Sequence, residues 1–571
     1  MTVQSVSIAL AGSGGAGAMT AGQMLLDAAA KAGWYGLMAR STGPQIRGGE
    51  ALAMVRLSPT PIEGPGDRFD IMIALDWQNV DRFSAELPMT AESVIVTDPD
   101  QGEVPAVLAA TGARQLPVPI KQMAGEIPGG RINMVGLGIA AAVVGLPMEF
   151  ISVVVGAALG KKGAEAINAS IAGISAGAKL AADWGLGLTL PPADGSCNRW
   201  NISGNEAAGL GALRAGVRFC AAYPITPGTE VLEYLAPRLA KLGGVLVQAE
   251  DELASINMCI GGSYGGVPSI TATSGPGLSL MTEAIGLSVA SETPVVIVNV
   301  MRGGPSTGIP TKSEQSDLNI AVHGLHGDAP HVVVAPTSIR DCLYTTQWAV
   351  HLAEALQTPA IVLSDQSLGQ SRAVIDAQPD PGFRGERRRW DGDTAKGYKR
   401  YAITDDGISP MSAPGQAGGE YTADGLEHAE SGLPSSQAAD HTRQMNKRLR
   451  KLMNFDFGAA WADIEGDGEV AVVTWGSAAA PTREAVQRLR AAGRKVRLVA
   501  MRLLAPARPD LLSKALEGVS SVLVVEQTHG AQFYHYLRGY FDLPAKVTVH
   551  NHPGPLPIRA REVVEKLESL V

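Results

Sequence analysis

Short apolar runs alternate with amphipathic stretches along most of this chain. Residues 3–11 form the first apolar run, a glycine-rich turn follows, and residues 21–32 carry apolar positions at helical spacing. Residues 70–75 and 93–97 are short apolar runs that end in polar residues, which is typical of strands buried in a parallel sheet. The pattern predicts a strand–turn–helix rhythm in a first block, residues 1–190.

The same rhythm returns twice. A second block has apolar runs separated by helical patterns, at 245–248, 270–272, 295–300, 332–335 and 360–363. A third block has four such runs, at 470–474, 496–500, 521–525 and 546–549. This alternation is typical of doubly wound parallel sheets.

The predicted fold class is therefore α/β with three parallel-sheet domains. The domains are placed at residues 1–190, 202–376 and 455–571. Residues 377–454 are irregular and charged, and the sequence leaves two interpretations open for them: a segment that packs across its neighbours, or a disordered one.

The stretch 132–160 is long and nearly uncharged. Pro147 and Glu149 interrupt it, so two buried segments fit better than one membrane span. The start of the chain lacks a basic stretch followed by a long apolar core, so a cytoplasmic location is expected.

Net charge and cysteine spacing limit the partners and cofactors expected for this chain. The 571 residues carry a net charge of −9, which gives no basic face for nucleic acid. The four cysteines are widely spaced, whereas the ligands of an iron–sulfur cluster usually lie close together in the sequence. Any electron-carrying cluster is therefore expected in another chain.

Gly12 to Gly17 form a G-x-G-x-x-G run between a predicted strand and a predicted helix. A nicotinamide site would place an acidic residue after the second strand, but that strand leads into Arg40. A dinucleotide-dependent dehydrogenase remains a weak alternative. A helix start suited to a phosphate or carboxylate, and glycines needed only for packing, remain open. Nearby, Ser41 and Arg47 are candidates for an anion contact.

The second block carries more specific chemistry. Polar loops are predicted after its strands; they contain Tyr223-Pro224-Ile225-Thr226-Pro227, Glu250-Asp251-Glu252, Thr273-Ser274-Gly275-Pro276-Gly277 and the run from Arg302 to Gly308. Loops that follow parallel strands meet at one edge of the sheet, where such folds bind ligands. A helix cap at Thr226, and acidic residues that only complement a helix dipole, are the structural alternatives.

These motifs, in this order, resemble the 2-oxoacid:ferredoxin oxidoreductase family over essentially the whole chain. The likeness is closest to the alpha subunit of 2-oxoglutarate:ferredoxin oxidoreductases with a fused N-terminal gamma domain. The resemblance implies a gamma-type domain, a thiamine diphosphate pyrimidine-binding domain and a transketolase C-terminal-like domain. It also matches the basic segment 441–452 to the family's stretch before the last domain.

The resemblance implies a thiamine diphosphate mechanism. By position, Glu252 matches the glutamate that protonates N1′ of the cofactor's aminopyrimidine ring, ahead of Glu250 and Asp251. Thr226 matches a threonine facing substrate or cofactor, and Arg302 an arginine suited to a carboxylate. Further expectations are that Tyr223, Pro224 and Ile225 line the cofactor, and that Ser41, Arg47 and Lys312 extend the substrate site.

A Gly-Asp-Gly…Asn pattern for magnesium is missing in the expected place. Gly466-Asp467-Gly468 precedes a predicted strand of the last domain and is interpreted as a turn. The resemblance then implies that a smaller beta subunit supplies the diphosphate site, Mg²⁺ and the iron–sulfur cluster, in an (αβ)2 assembly that reduces ferredoxin. No metal site is expected in this chain: the resemblance matches His323 and His326 to a His-Gly-Asp loop of the family, and His550 and His552 lie near a predicted strand end.

The expected reaction is the reversible oxidative decarboxylation of 2-oxoglutarate with coenzyme A. Pyruvate, branched-chain or aryl 2-oxoacids remain possible substrates for the same mechanism. A non-catalytic scaffold subunit is the alternative of another class.

Overall fold

The computed structural model describes residues 4–43, 49–193 and 198–570. The chain forms two compact units: the first contains residues 1–203, 370–378 and 559–561, and the second contains the remainder. The units hold three sheets, and the predicted α/β class is confirmed. Residues 4–570, in their described ranges, contain no helix long and apolar enough to cross a membrane.

The first unit is built on an eight-stranded sheet in the order β6-β5-β4-β1-β3-β2-β14-β7. Its strands are β1 (Val6–Ser13), β2 (Tyr35–Thr42), β3 (Glu50–Ser58), β4 (Ile71–Ala74), β5 (Val94–Thr97), β6 (Arg114–Pro117), β7 (Arg199–Ser203) and β14 (Arg372–Asp376). Its helices are α1 (Ala18–Lys31), α2 (Ala106–Ala109), α3 (Ile120–Gly125), α4 (Ile132–Val144), α5 (Met148–Leu159) and α6 (Ala164–Ala181).

This sheet is mixed, where the sequence pattern predicted only parallel strands. Strands β1, β4, β5 and β6 run parallel, but β3 is antiparallel to both β1 and β2. Only residues 43–49 connect β2 to β3, and a parallel crossover needs a dozen residues or more. β14 is antiparallel to both β2 and β7. The sheet is therefore mixed for two reasons. The β2–β3 connection is too short for a parallel crossover, and β14 enters the sheet from a distant part of the chain.

The apolar stretch 132–160 is divided into two segments, as predicted, and these are the helices α4 and α5. Helix α4 is almost fully buried, whereas α5 buries only one face. Helix α4 packs closely on α6 because two glycines let the backbones approach. A methyl group added at Gly138 would lie 2.0 Å from Ile174 O, and one added at Gly177 would lie 2.1 Å from Val135 O. The stretch is therefore a helical layer of this unit rather than a single long span.

The second unit contains a seven-stranded sheet in the order β18-β12-β13-β11-β10-β8-β9. Its strands are β8 (Phe219–Ala222), β9 (Val245–Gln248), β10 (Ser269–Thr273), β11 (Val295–Met301), β12 (Val332–Val334), β13 (Pro359–Asp365) and β18 (Leu503–Ala505). Its helices are α7 (Gly204–Ala215), α8 (Thr229–Leu239), α9 (Glu252–Tyr264), α10 (Gly275–Ala290), α11 (Leu318–His323), α12 (Ile339–Leu356) and α13 (Gln366–Gln370). All pairings are parallel except that between β18 and β12.

A five-stranded sheet in the order β15-β17-β16-β19-β20 completes this unit. Its strands are β15 (Ala462–Glu465), β16 (Val470–Trp475), β17 (Val496–Met501), β19 (Ser521–Glu526) and β20 (Lys546–Asn551). The helices after the irregular segment are α14 (Ala438–Met453), α15 (Ala479–Ala491), α16 (Pro509–Ala515), α17 (Gln532–Tyr540) and α18 (Ala560–Glu568).

The segment 379–437 has little regular structure, yet it packs against the second unit. Arg400 and Tyr401 within it are fully buried. Arg400 Nη2 donates to Glu292 O at 2.7 Å, and α14 adds Lys447 Nζ at 2.7 Å and Lys451 Nζ at 3.0 Å from the Glu292 carboxylate. We call these four charged residues the buried charge cluster. Of the two interpretations left open by the sequence, the packed segment is the one observed.

Candidate active site

Four neighbouring parallel strands, β9, β8, β10 and β11, present their carboxyl ends along one edge of the second unit's larger sheet. The loops after them carry all four polar motifs singled out in the second block. The topology therefore brings these motifs to one edge, as expected for a ligand site of an open parallel sheet.

The acidic run before α9 separates into a capping residue and a buried one. The Asp251 side chain accepts a hydrogen bond from Ala254 N at 2.7 Å and so caps the helix. Glu250 and Asp251 are exposed, whereas Glu252 is only 6% exposed. The helix-dipole and capping role therefore falls to Asp251, which leaves Glu252 for another use.

The side chain of Glu252 lies against the start of α10. A methyl group added at Gly277 would lie 2.6 Å from Glu252 Cγ and 2.1 Å from Thr273 Oγ1. A methyl group added at Gly228 would lie 2.9 Å from Thr273 O. The loops after β8 and β10 and the Glu252 side chain thus meet around Thr273, and glycine is needed for that approach.

Arg302 follows β11 and is tied to the loop after β8. Its Nη1 donates to Thr226 O at 2.6 Å, and the residue is only 7% exposed. Burial lowers the pKa of Arg302, and the charge of Asp317 opposes that shift. Two of the predicted substrate-binding residues are therefore in direct contact, although Thr226 takes part through its carbonyl oxygen.

Behind Arg302 lies a polar network that the sequence analysis missed. Asn299 Nδ2 donates to Asp317 Oδ2 at 2.8 Å. Ser316 Oγ lies 3.0 Å from Asp317 Oδ1 and 2.8 Å from Arg302 O, so one hydroxyl links both residues. Burial raises the pKa of Asp317, and the hydrogen bonds from Asn299 and Ser316 oppose that rise.

Signals for two of these residues were present in the sequence. Asn299 is a polar residue inside the apolar strand β11. Asp317 precedes α11 as an apparent cap, but its side chain makes no capping hydrogen bond. A buried amide in a central strand commonly marks a polar partner, which here is the Asp317 carboxylate.

Three buried polar atoms at this edge have no hydrogen-bond partner among the described residues: Ser274 Oγ, Asn299 Oδ1 and Arg302 Nε. Buried polar atoms are normally satisfied, so unmatched groups grouped at a ligand edge indicate a missing partner. The site therefore fits a bound polar molecule, including an aminopyrimidine ring beside the Glu252 carboxyl.

The remaining predicted residues of this unit lie at the open side. Tyr223 is 40% exposed, Thr226 is exposed, and Pro224 and Ile225 are half-buried. Lys312 lies on the same loop as Arg302, where its carbonyl accepts a hydrogen bond from Gly303 N at 3.0 Å. Leu253, next to Glu252 at the start of α9, is an exposed apolar residue, with 48% of its surface accessible.

In the first unit, Ser41 is buried and its Oγ donates to Glu86 Oε1 at 3.0 Å. Arg47 lies outside the described residues. The described part of the chain thus gives one of these two candidates an intramolecular hydrogen bond and leaves their expected substrate contact untested.

The glycine run of the first unit differs from a dinucleotide-binding loop in its surroundings. Ser13 N and Oγ both donate to the Asp76 carboxylate, at 3.0 and 2.8 Å, and Gly14 N donates to Gly49 O at 2.7 Å. The antiparallel β3 lies between β1 and β2, where a dinucleotide fold has β1 and β2 adjacent. A cleft of about 490 Å³ remains beside the run, but this topology disfavours the nicotinamide alternative.

Family models match three stretches of the chain. Residues 210–447 match "Pyruvate flavodoxin/ferredoxin oxidoreductase, thiamine diP-bdg", and residues 7–180 match "Pyruvate ferredoxin/flavodoxin oxidoreductase". Residues 468–539 match "Pyruvate:ferredoxin oxidoreductase core domain II". The three matched stretches therefore lie in the first block, in the second block together with most of the irregular segment, and in the last sheet.

Similar proteins extend the match to nearly the full length. The alpha subunit of 2-oxoacid:ferredoxin oxidoreductase 2 from Aeropyrum pernix is 31% identical over 611 aligned positions, covering 94% of this chain and 93% of that protein. The 2-oxoacid:ferredoxin oxidoreductase subunit alpha from Saccharolobus solfataricus is 36% identical over 60% of this chain, and the chain spans only 57% of that subunit's length.

A solved structure is also similar. The 2-oxoglutarate:ferredoxin oxidoreductase from Magnetococcus marinus, with 2-oxoglutarate, coenzyme A and succinyl-CoA bound, has a TM-score of 0.92 and 35% sequence identity, with 99% of each chain covered. The three-sheet architecture is therefore shared along the whole described chain.

Proposed function

The chain belongs to the 2-oxoacid:ferredoxin oxidoreductase family, and on that basis we propose that it catalyses, with a smaller partner subunit, the reversible oxidative decarboxylation of 2-oxoglutarate. The family resemblance drawn from the motifs is thereby confirmed. In the proposed reaction, 2-oxoglutarate and coenzyme A give succinyl-CoA and CO2, and two electrons pass to ferredoxin.

The observation that carries the proposal is the buried Glu252 carboxyl at the strand-end edge. When bound there, thiamine diphosphate supplies the carbon nucleophile and electron sink that a 2-oxoacid needs for decarboxylation. Glu252 holds the proton shared with N1′ of the aminopyrimidine ring, and its burial excludes the water that would compete for that hydrogen bond. Glu252 is the proposed catalytic residue of this chain.

Arg302 is the proposed anchor for a substrate carboxylate. Its Nη1 is held by Thr226 O and its Nε has no partner among the described residues, so the guanidinium is oriented yet retains a free donor. Asp317, through Ser316 and the main chain of Arg302, positions that loop. Lys312, Ser41 and Arg47 complete the proposed substrate site, and Tyr223, Pro224, Ile225 and Thr226 line the cofactor.

The choice of 2-oxoglutarate is supported by the Magnetococcus marinus enzyme, which has 2-oxoglutarate bound. Pyruvate and branched-chain or aryl 2-oxoacids use the same chemistry at the reacting carbon, so they are alternatives within one mechanism. The scaffold alternative is disfavoured, because a subunit without chemistry has no need of a buried carboxyl beside unmatched polar atoms.

A smaller beta subunit is proposed to complete the site with the diphosphate-binding residues, Mg²⁺ and an iron–sulfur cluster. The Gly466-Asp467-Gly468 run lies in the connection between β15 and β16, where Asp467 forms an exposed ion pair with Lys495 at 3.6 Å. The exposed apolar side chain of Leu253, adjacent to Glu252 in α9, supports a partner contact at this site. We place the (αβ)2 assembly in the cytoplasm, where coenzyme A and ferredoxin are available.

The proposal keeps the four-part division of the chain. Residues 1–190 form the gamma-type domain and residues 202–376 the pyrimidine-binding domain. Residues 377–454 cross between domains, and residues 455–571 form the transketolase C-terminal-like domain.

The test compares this chain alone with the chain co-expressed with the partner subunit. We expect 2-oxoglutarate- and coenzyme A-dependent reduction of a low-potential dye only in the pair. Activity with pyruvate or a branched 2-oxoacid instead would refute 2-oxoglutarate as the substrate and leave the proposed mechanism in place. An assembled pair that is inactive with every 2-oxoacid would favour the scaffold alternative.

A further inference from the structure

Two histidines and a glutamate converge at the end of β20, away from the site described above. His550 and His552 are two positions apart, so they project to the same face of the extended chain. Glu562 lies in the first turn of α18. One ligand atom from each residue lies within 4.8 Å of the others.

The spacing of these atoms suits a metal better than it suits hydrogen bonds. His550 Nε2 and His552 Nε2 lie 3.5 and 3.6 Å from the same oxygen, Glu562 Oε2. Good hydrogen bonds to oxygen are about 2.7–3.2 Å long. Tetrahedral zinc with bonds of about 2.0–2.1 Å would hold its ligands roughly 3.3 Å apart. The two distances to Glu562 therefore need only a small contraction around an ion, and the two histidine nitrogens lie within 4.8 Å of each other.

The ring nitrogens are also prepared for coordination. His552 Nδ1 lies 3.0 Å from Pro553 O, which favours a proton on Nδ1 and leaves the lone pair on Nε2. His550 Nε2 is buried and makes no hydrogen bond within the described residues. Both Nε2 atoms thus lie close to the common carboxylate oxygen, and His552 has a backbone partner for its other ring nitrogen.

The strand end that carries the histidines is held in place. Asn551, between them, donates from Nδ2 to Thr528 O and His529 O at 3.0 and 3.1 Å. The side chains of His550, His552 and Glu562 are 12%, 29% and 38% exposed, so an ion has an entry path from solvent. Ligand type, spacing, a supporting hydrogen bond and access are the features required of a metal site.

We propose that His550, His552 and Glu562 bind one Zn²⁺ ion through two imidazole nitrogens and one carboxylate oxygen, with water in the fourth position. The ion would join the end of β20 to the first turn of α18. The loop between them contains Gly554, where an added methyl group would lie 2.2 Å from Ser313 O, on the loop between Arg302 and Asp317. The metal would thus brace a loop that packs against this segment.

The test uses the full-length chain without a histidine tag, stripped with a chelator and titrated with Co²⁺ and then Zn²⁺. We expect one Co²⁺ per chain with the absorption of a four-coordinate nitrogen and oxygen site, displaced by Zn²⁺. A thiolate-to-cobalt band should be absent, because the described cysteines Cys220, Cys259 and Cys342 are buried. Zinc should also raise the melting temperature of the stripped chain.

His552→Ala and Glu562→Gln should each weaken Zn²⁺ binding by more than the ~10- to 100-fold typical of losing a supporting residue. His535→Ala, at an exposed histidine on α17, is the matched control and should bind as the unaltered chain does. The melting temperature of each variant in chelator shows that it folds. Absence of stoichiometric Co²⁺, or equal affinity in His552→Ala, would reduce the cluster to a histidine–glutamate contact and overturn the site.

Discussion

Two buried glutamates of the second unit, Glu252 and Glu292, have opposite surroundings. Glu292 is fully buried, and the cations Arg400, Lys447 and Lys451 surround it within the chain. Burial alone would raise the pKa of Glu292, but these cations lower it below its ordinary value. Glu252 is 6% exposed and has no ion pair with any described residue.

The contrast is between a carboxylate that is paired within the chain and the carboxyl to which we assign the proposed chemistry. A carboxylate surrounded by lysines and arginine stays ionised and cannot share its proton with a ligand. The buried Glu252 carboxyl has no such cation among the described residues, and its side chain lies against Gly277 at the start of α10. Pairing, rather than burial alone, therefore distinguishes the two positions.

The largest expected effect is that of Glu252→Gln on turnover. The amide keeps the shape of the side chain but cannot exchange a proton with N1′, so we expect kcat of the reconstituted pair to fall by about 10²–10⁴-fold. The free energy of unfolding should change by less than about 1 kcal/mol, since no cation depends on this charge. Dye-reduction kinetics and denaturant unfolding measure the two quantities.

Glu250→Gln, at an exposed position two residues earlier, is the matched control and should keep turnover within about twofold. Turnover of Glu252→Gln within a few-fold of the unaltered pair would refute the catalytic role.

Glu292→Gln should lower the free energy of unfolding and leave turnover nearly unchanged, the reverse of Glu252→Gln. It leaves Lys447 and Lys451 buried without their carboxylate, whereas Arg400 keeps its hydrogen bond to the main-chain oxygen of residue 292. We therefore expect a loss of about 3–5 kcal/mol in the free energy of unfolding. Turnover per folded molecule should change little. Denaturant unfolding of this variant is compared with that of Glu283→Gln, an exposed position on α10 expected to stay within about 0.5 kcal/mol.

The pH dependence of stability, measured for the unaltered chain and for Glu292→Gln, is a control for this result. Because the folded-state pKa of Glu292 lies below its ordinary value of 4.5, its stabilising contribution is present above pH 4.5. It is lost as the pH falls below 4.5, where the unfolded chain takes up the proton first. The unaltered chain should therefore lose stability more steeply than Glu292→Gln below pH 4.5. Parallel slopes would contradict the assignment.

Gly277→Ala should give the smallest of the three effects and links geometry to activity. The added methyl group would lie 2.1 Å from Thr273 Oγ1 and 2.6 Å from Glu252 Cγ, so one side chain must move. We expect a loss of about 1–3 kcal/mol in stability. A displacement of the carboxyl by about 1 Å should lower kcat by about 100-fold.

Gly286→Ala, on the same helix, is the control, because an added methyl group there has no neighbour within 4 Å. It should leave kcat unchanged and stabilise α10 by about 0.5–1 kcal/mol. Equal turnover in the two alanine variants would show that the Glu252 position tolerates displacement.

Much of the fold follows from local patterns in the sequence. The apolar runs of the second and third blocks coincide with strands such as β11 and β16, because a buried parallel strand needs a short, continuous apolar run. The break in residues 132–160 was predictable for a similar reason, since Pro147 cannot continue a helix. The polar loops that follow the strands were also visible.

Contacts between distant residues were not predictable in this way. Glu292 and Lys447 are 155 positions apart, and no local pattern marks them as partners. The pairing of β14 with β2 joins residues from different blocks, and nothing in the Arg372–Asp376 sequence specifies which sheet it enters. Only one partner of the Asn299–Asp317 hydrogen bond could be recognised in the sequence. Asn299 is a polar residue in an apolar strand, whereas Asp317 resembles a helix cap.

The position of β14 has a consequence for how the protein is made. β3 ends at Ser58 and β14 begins at Arg372, so during synthesis at roughly 5–20 residues per second the outer edge of β2 stays open for roughly 15–60 s. An unpaired strand edge readily pairs with other chains. β7 also stays unpaired in this sheet until β14 is synthesised, because β14 is its neighbour. The nascent first unit is therefore a candidate for chaperone protection on the ribosome, and a chain cut after residue 203 would expose the same edge.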